Sequence, residues 1–244
     1  MSIEYYFIAA VIIFVAYFIR GIAGFGSGLI AVPLLALILP LTFVVLVILL
    51  LDFTASLVMG GLDLKRVQWK EVIWLIPFSL VGVVLGSKLL TNLPVTPTLI
   101  ILAVFIFVFA IRSLLNIHGD KMISQYWAIP AAFIGGTVGA LFGTGGPPYV
   151  IYLNHRIQDK TKLRATFSAL FFLEGLMRII TFFIIGLLLS QTIWWSTLGA
   201  LPILLLGLYL GSHIHTGLSQ ISLMRLIGVL LLVASFSLLT KALL

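Results

Sequence analysis

Long apolar stretches separated by short polar connections run the length of the chain. Those at 41–60, 70–89, 97–115, 164–187, 194–213 and 222–241 each approach the roughly 20 apolar residues that a helix needs to cross a bilayer. The apolar regions 4–40 and 126–153 are of another kind. Each is interrupted near its middle, by "GIAGFGSGLIAVP" (21–33) and by "GALFGTGGPPYV" (139–150). Glycine and proline punctuate helices, and neither half of either region is comfortably long enough to span alone, although 5–22 comes close. The pattern predicts an all-α polytopic membrane protein in which full-length spans alternate with two broken, re-entrant hairpins.

Composition agrees. The 244 residues are 62% hydrophobic and 9% charged, with a mean hydropathy of +1.27. Soluble domains carry about 25% charged residues, so such a chain has too little polar surface to face water. The first apolar run begins near Tyr5 without a basic region before it or an A-x-A site after it, so a cleavable signal peptide is not expected. The net charge of +7 reads as membrane topology, because Lys and Arg gather in cytoplasmic loops. No basic domain supports a nucleic-acid partner.

The basic residues cluster as Lys65, Arg66 and Lys70; Arg112 and Lys121; Arg156, Lys160, Lys162 and Arg164; and Arg225. The connections "TNLPVTP" and "LSQTIW" carry none. Taking the basic segments as cytoplasmic, 41–60 runs inward and 4–40 begins and ends outside. Residues 126–153 then begin and end inside. The two broken hairpins enter from opposite faces, each is followed by three spans, and both termini lie outside.

That order is an inverted repeat, and residue identities support it. "WKEVIWLIPFSLVGVVLGSKLLTNL" (69–93) and "WWSTLGALPILLLGLYLGSHIHTGL" (194–218) share Trp69/Trp194, Pro77/Pro202, Gly82/Gly207, Gly86/Gly211, Ser87/Ser212, Thr91/Thr216 and Leu93/Leu218 at a constant offset. Phe25-Gly26-Ser27-Gly28 matches Phe142-Gly143-Thr144-Gly145. The chain divides into a first repeat, 1–118, and a second, 119–244, within one membrane domain. Inverted repeats with helices broken at corresponding positions are the architecture of secondary transporters. Gly82/Gly86 and Gly207/Gly211 have the spacing of close helix packing.

A mid-membrane break frees backbone groups that must face protein or a wet cavity. The half-helix after it offers a positive end and free N–H groups, an anion site that glycine lets a ligand approach closely. Ser27 and Thr144 add hydroxyls, and Pro147 and Pro148 suit a first helical turn. Two such ends entering from opposite faces would aim at one midplane point.

Four charges fall deep in apolar runs, where they are costly and point to function: Arg20, Asp52, Glu174 and Arg178. Glu174 and Arg178 stand i,i+4 and can pair along one helix. Arg20 and Asp52 can pair across helices, and a desolvated Asp52 or Glu174 can carry a proton. There is no cysteine, which excludes disulfides and thiolate chemistry. His213 and His215 form the only close histidine pair and read as interfacial. No HExxH or GxSxG occurs and no histidine lies near an intramembrane carboxylate, so neither an enzyme nor a metal or cofactor is expected.

"GIAGFGSGLIAVPLL" (21–35), "GALFGTGGPP" (139–148) and the basic "KTKLRAT" (160–166) before an apolar helix resemble the TauE/SafE family of sulfite exporters and related permeases, over nearly the whole chain. The resemblance implies an inner-membrane permease for a small, sulfur-containing anion such as sulfite or an organosulfonate. Carried over to this chain, it points to Gly24, Phe25, Gly26, Ser27 and Gly28, and to Gly143, Thr144, Gly145, Gly146 and Pro147. Many members carry a further glycine where this chain has Ser27. Arg20 and Arg178 would supply positive potential, and Asp52 or Glu174 would couple transport to protons while one repeat rocks against the other. A channel-like pore and an accessory subunit without its own activity are the alternatives. The expected partners are the anion, the bilayer and protons. A homodimer stays open beside a monomer.

Overall fold

The computed structural model describes residues 3–59, 64–115, 122–213 and 220–243. Lys121, His215, Thr216 and Leu218 lie outside these residues. The described chain is helical: α1 (Ile3–Ala23), α2 (Ser27–Leu35), α3 (Leu41–Met59), α4 (Trp69–Asn92), α5 (Val95–Leu114), α6 (Ala128–Phe142), α7 (Gly146–Arg156), α8 (Lys160–Ile184), α9 (Gln191–His213) and α10 (Gln220–Leu243).

Six of these helices, α1, α3, α4, α5, α8 and α9, are long and apolar enough to cross a membrane. In α10 the described apolar portion, Ile227–Leu243, is shorter. The nine residues of α2 rise roughly 14 Å, and the eleven of α7 roughly 17 Å, against a ~30 Å hydrocarbon core. Both interruptions expected from the glycines are present. They are unequal: α1 has 21 residues, a full span where the sequence reading of 5–22 comes only close to one, because its apolar run is unbroken from Tyr5 to Ile19. By contrast, α6 has 15.

The chain forms two compact units, Met1–Val44 with Asn92–His118 and Ala200–Leu244, and Val45–Thr91 with Gly119–Gly199. Each draws on both halves of the sequence. In the first unit, α9 lies so close to α1 that a side chain on Gly211 would fall on the Phe18 carbonyl, and one on Gly207 would come 2.9 Å from the Phe14 carbonyl. Helix α10 packs on α5, where Ser235 Oγ donates to the Ala103 carbonyl at 2.9 Å and Phe107 meets Phe236 edge-on. The Lys241 ammonium donates to the carbonyls of Ala36 and Leu37 at 2.8 and 3.2 Å, placing a cation at the C-terminal end of α2, where the helix dipole favours one.

The second unit is built the same way. Side chains on Gly82 and Gly86 of α4 would fall on the carbonyls of Phe133 and Thr137 in α6. The small-residue spacing therefore serves helix packing at all four positions. Ser79 of α4 and Tyr149 of α7, both fully buried, share a 2.6 Å hydrogen bond, and the Tyr149 ring fills the place of a side chain on Gly135. Phe53 of α3 stacks on Phe172 of α8. Thr166, the last residue of KTKLRAT, accepts the Gln68 backbone N–H at 3.0 Å and ties the start of α8 to the approach to α4.

Candidate functional site

At the first break Gly24 takes φ +84° and donates its N–H to the Arg20 carbonyl at 2.7 Å, closing α1. Gly26, at φ +98°, leads directly into α2. Both are left-handed conformations that glycine adopts without strain. A side chain on either would meet nothing within 4 Å, so the backbone here borders open space. Ser27 is the first helical residue and is buried. Its Oγ accepts from Arg20 Nη1 at 3.0 Å. Arg20, Gly24, Phe25, Gly26, Ser27 and Gly28 thus make one local group, in which a buried guanidinium is tied to the first residue of a half-helix.

The second break uses the aligned motif in another register. Phe142 is still helical, and Gly143 (φ +67°) donates to the Gly139 carbonyl at 2.8 Å and closes α6. Thr144 lies in the connection, Gly145 caps α7, and Gly146 is its first residue. Prolines cause the shift: they take the first-turn places of α7, whereas α2 begins at once with Ser27-Gly28. Pro147 and Pro148 also remove two first-turn N–H groups, so α7 offers fewer backbone donors than α2 and Pro147 contributes shape only. Gly145 serves packing, since a side chain there would fall on the Gly135 carbonyl. Gly146 is open, with only the tip of Phe171 at 3.7 Å.

Against this break stands the Glu174–Arg178 pair of α8. Both residues are buried, and Arg178 Nη1 lies 3.9 Å from Glu174 Oε2, an ion pair without a close hydrogen bond. Glu174 Oε1 occupies the space a side chain on Gly139 would need, and the same space borders Gly145. Asp52, half-buried on α3, also acts on Glu174 through its charge. Among the described residues, Thr144 Oγ1, Glu174 Oε1, and Nε and Nη2 of Arg178 are buried without a hydrogen-bond partner. Such groups are costly to leave unmet. Thr144 thus lies in the turn itself, and Glu174, with Arg178 paired to it, reaches the Gly139–Gly145 side of that turn.

Two further residues, Glu71 and Tyr152, escape the sequence reading, which takes their partner Arg156 only as a mark of topology. Glu71, in the first turn of α4, receives Arg156 Nε at 3.1 Å and Nη2 at 2.7 Å, and the Tyr152 hydroxyl also donates to it. Arg156 Nη1 donates to the Ile123 carbonyl at 3.0 Å, so the chain entering α6 and the chain leaving α7 meet. Their partners are far apart in sequence. The available signal is that Glu71 is one of only seven acidic residues and opens an apolar span. Outside the apolar segments, Asp159 accepts the N–H groups of Thr161 and Lys162 at 2.8 and 3.1 Å and caps α8. These bonds hold its carboxyl below the usual aspartate range.

Residues 9–238 match the family model described as sulfite exporter TauE/SafE. A relative from Comamonas testosteroni, described as probable inner membrane transporter protein TsaS, is 28% identical over 196 residues, covering 78% of this chain and 80% of its own. No solved structure matches. With a family match that spans nearly the whole length of an all-helical chain rich in membrane-length helices, the protein belongs to the TauE/SafE family of membrane transporters.

Proposed function

We propose that this transporter is a secondary carrier of a small sulfur-containing oxyanion such as sulfite or an organosulfonate. The substrate class follows the family description. The observation that carries the site is the second break, where buried Thr144 has unused hydrogen-bonding capacity in a glycine-lined turn that Glu174 reaches, with Arg178, also unsatisfied, paired to it. The first break, with Arg20 on Ser27 at the start of α2, is its counterpart in the inverted-repeat reading. Like packing of Gly82/Gly86 and Gly207/Gly211 supports that reading. Glu174 shares the second site and can leave its ion pair by taking a proton, which makes it, with Asp52 beside it, the coupling group.

Purified protein in liposomes tests this directly. Sulfite or sulfonate counterflow should saturate and respond to a pH gradient. Glu174→Gln should retain saturable exchange and lose the response to the gradient. Flux that never saturates and ignores the gradient in the unaltered protein would identify a channel-like pore instead. Absence of flux from the chain alone would identify an accessory subunit.

A further inference from the structure

We infer that Glu71, Tyr152 and Arg156 form a clamp at the base of the α6–α7 hairpin that sets the position of the half-helix end at Thr144–Gly146. The inference rests on the anion site proposed at that end.

The geometry is specific. Glu71 and Tyr152 are 7% and 1% exposed, and the carboxylate receives three donors, two from one guanidinium. Both guanidinium N–H groups converge on Oε1 and the Tyr152 hydroxyl takes Oε2, so each carboxylate oxygen is held from its own side. The third arm of Arg156 reaches Ile123, just before α6. One side chain therefore joins the chain entering the hairpin, its leaving end and the first turn of α4. Nearer the break, the Ser79–Tyr149 bond also ties α7 to α4. Helix α7 is eleven residues long and stiff over that length, so a shift at Arg156 is carried to Gly146. Glu71 and Tyr152 touch no substrate here; they are positioning residues.

Glu71 is buried and Arg156 partly so, and removing one partner of such a charge pair leaves the other charge unmatched, so Glu71→Gln should release Arg156. Tyr152→Phe removes a single bond and leaves the pair intact, which makes it the milder variant. A small displacement of a binding group can cost on the order of tenfold or more.

The test combines two readouts in liposomes. Since the chain has no cysteine, a single thiol introduced by Thr144→Cys reports on the break. A thiol introduced by Val95→Cys, at the exposed start of α5, is the control. In the Thr144→Cys background, Glu71→Gln should raise the maleimide reaction rate several-fold and Tyr152→Phe should raise it less. The rate at the Val95→Cys control should not change. Without the reporter, Glu71→Gln should raise the KM for sulfite roughly tenfold while Vmax stays within about twofold. Unchanged thiol reactivity at position 144 and unchanged KM in folded Glu71→Gln protein would overturn the clamp. So would equal acceleration at the control position, which marks general loosening. Should Glu71→Gln fail to fold, Tyr152→Phe decides by the same criteria. If the unaltered protein carries no sulfite, the anion-site reading fails, while the thiol comparison still judges the clamp.

Discussion

Glycines in this chain serve two different physical needs, and substitutions separate them. Gly26 has a left-handed backbone and open space around it. Gly26→Ala should therefore cost only the left-handed penalty, about 1–2 kcal/mol, whereas Gly26→Leu should fill the space before α2 and abolish anion binding in protein that still inserts. Gly143→Leu should do the same at the second break. A panel of sulfur oxyanions in a thermal-shift assay checks both, and intact binding in both leucine variants would sink the anion site. Asp159 offers a pH-dependent contrast. Its depressed pKa means that the capping contribution is complete above the ordinary aspartate value near 3.9 and declines as pH falls through the lowered one. Asp159→Ala should lower the melting temperature at neutral pH more than Asp159→Asn, which keeps a capping oxygen. The wild-type advantage over Asp159→Ala should shrink as the carboxyl is protonated.

At the scale of elements, much was legible because it is local. Apolar runs of membrane length gave α3, α4, α5, α8 and α9, and the glycine interruptions gave the ends of α1 and α6. The small-residue spacing on α4 and α9 foretold the close approach to α6 and α1. Gly211→Ala has ordinary backbone geometry but no room, since its side chain would strike the Phe18 carbonyl. Overpacking of this kind costs about 1–3 kcal/mol. The variant should lose thermal stability while retaining anion affinity in the folded fraction, the reverse of Gly26→Leu. Two features were not legible. The registers of the breaks differ, although FGSG and FGTG align letter by letter, because the prolines that move the start of α7 lie beyond the matched motif. The Glu71 clamp joins residues 81 and 85 positions apart, a pairing that helical periodicity cannot reveal.

At the scale of the molecule, correspondence in sequence and compactness in space follow different lines. The repeats proposed at 1–118 and 119–244 are continuous in sequence, while each compact unit draws on both. Packing of α1 with α9, and of α6 with α4, produces this exchange: each broken hairpin rests on a helix from the other half. Orientation in the membrane then depends on whether α6 and α7 together make a crossing. The Arg156–Ile123 bond brings the two ends of that hairpin together, so the chain should leave on the face by which it entered. Between the exposed residues Val95 and Lys162 there would then be one crossing, α5. The single-thiol variants Val95→Cys and Lys162→Cys, in a chain that has no cysteine of its own, should react from opposite faces. A membrane-impermeant maleimide added to intact cells should label Val95→Cys at once and Lys162→Cys only after permeabilisation, in keeping with the basic residues Lys160, Lys162 and Arg164 on the cytoplasmic side. The opposite order would invert the proposed orientation and leave the hairpin re-entrant. Labelling of both from the same face would require α6–α7 to cross, and the broken-hairpin topology would fall with it.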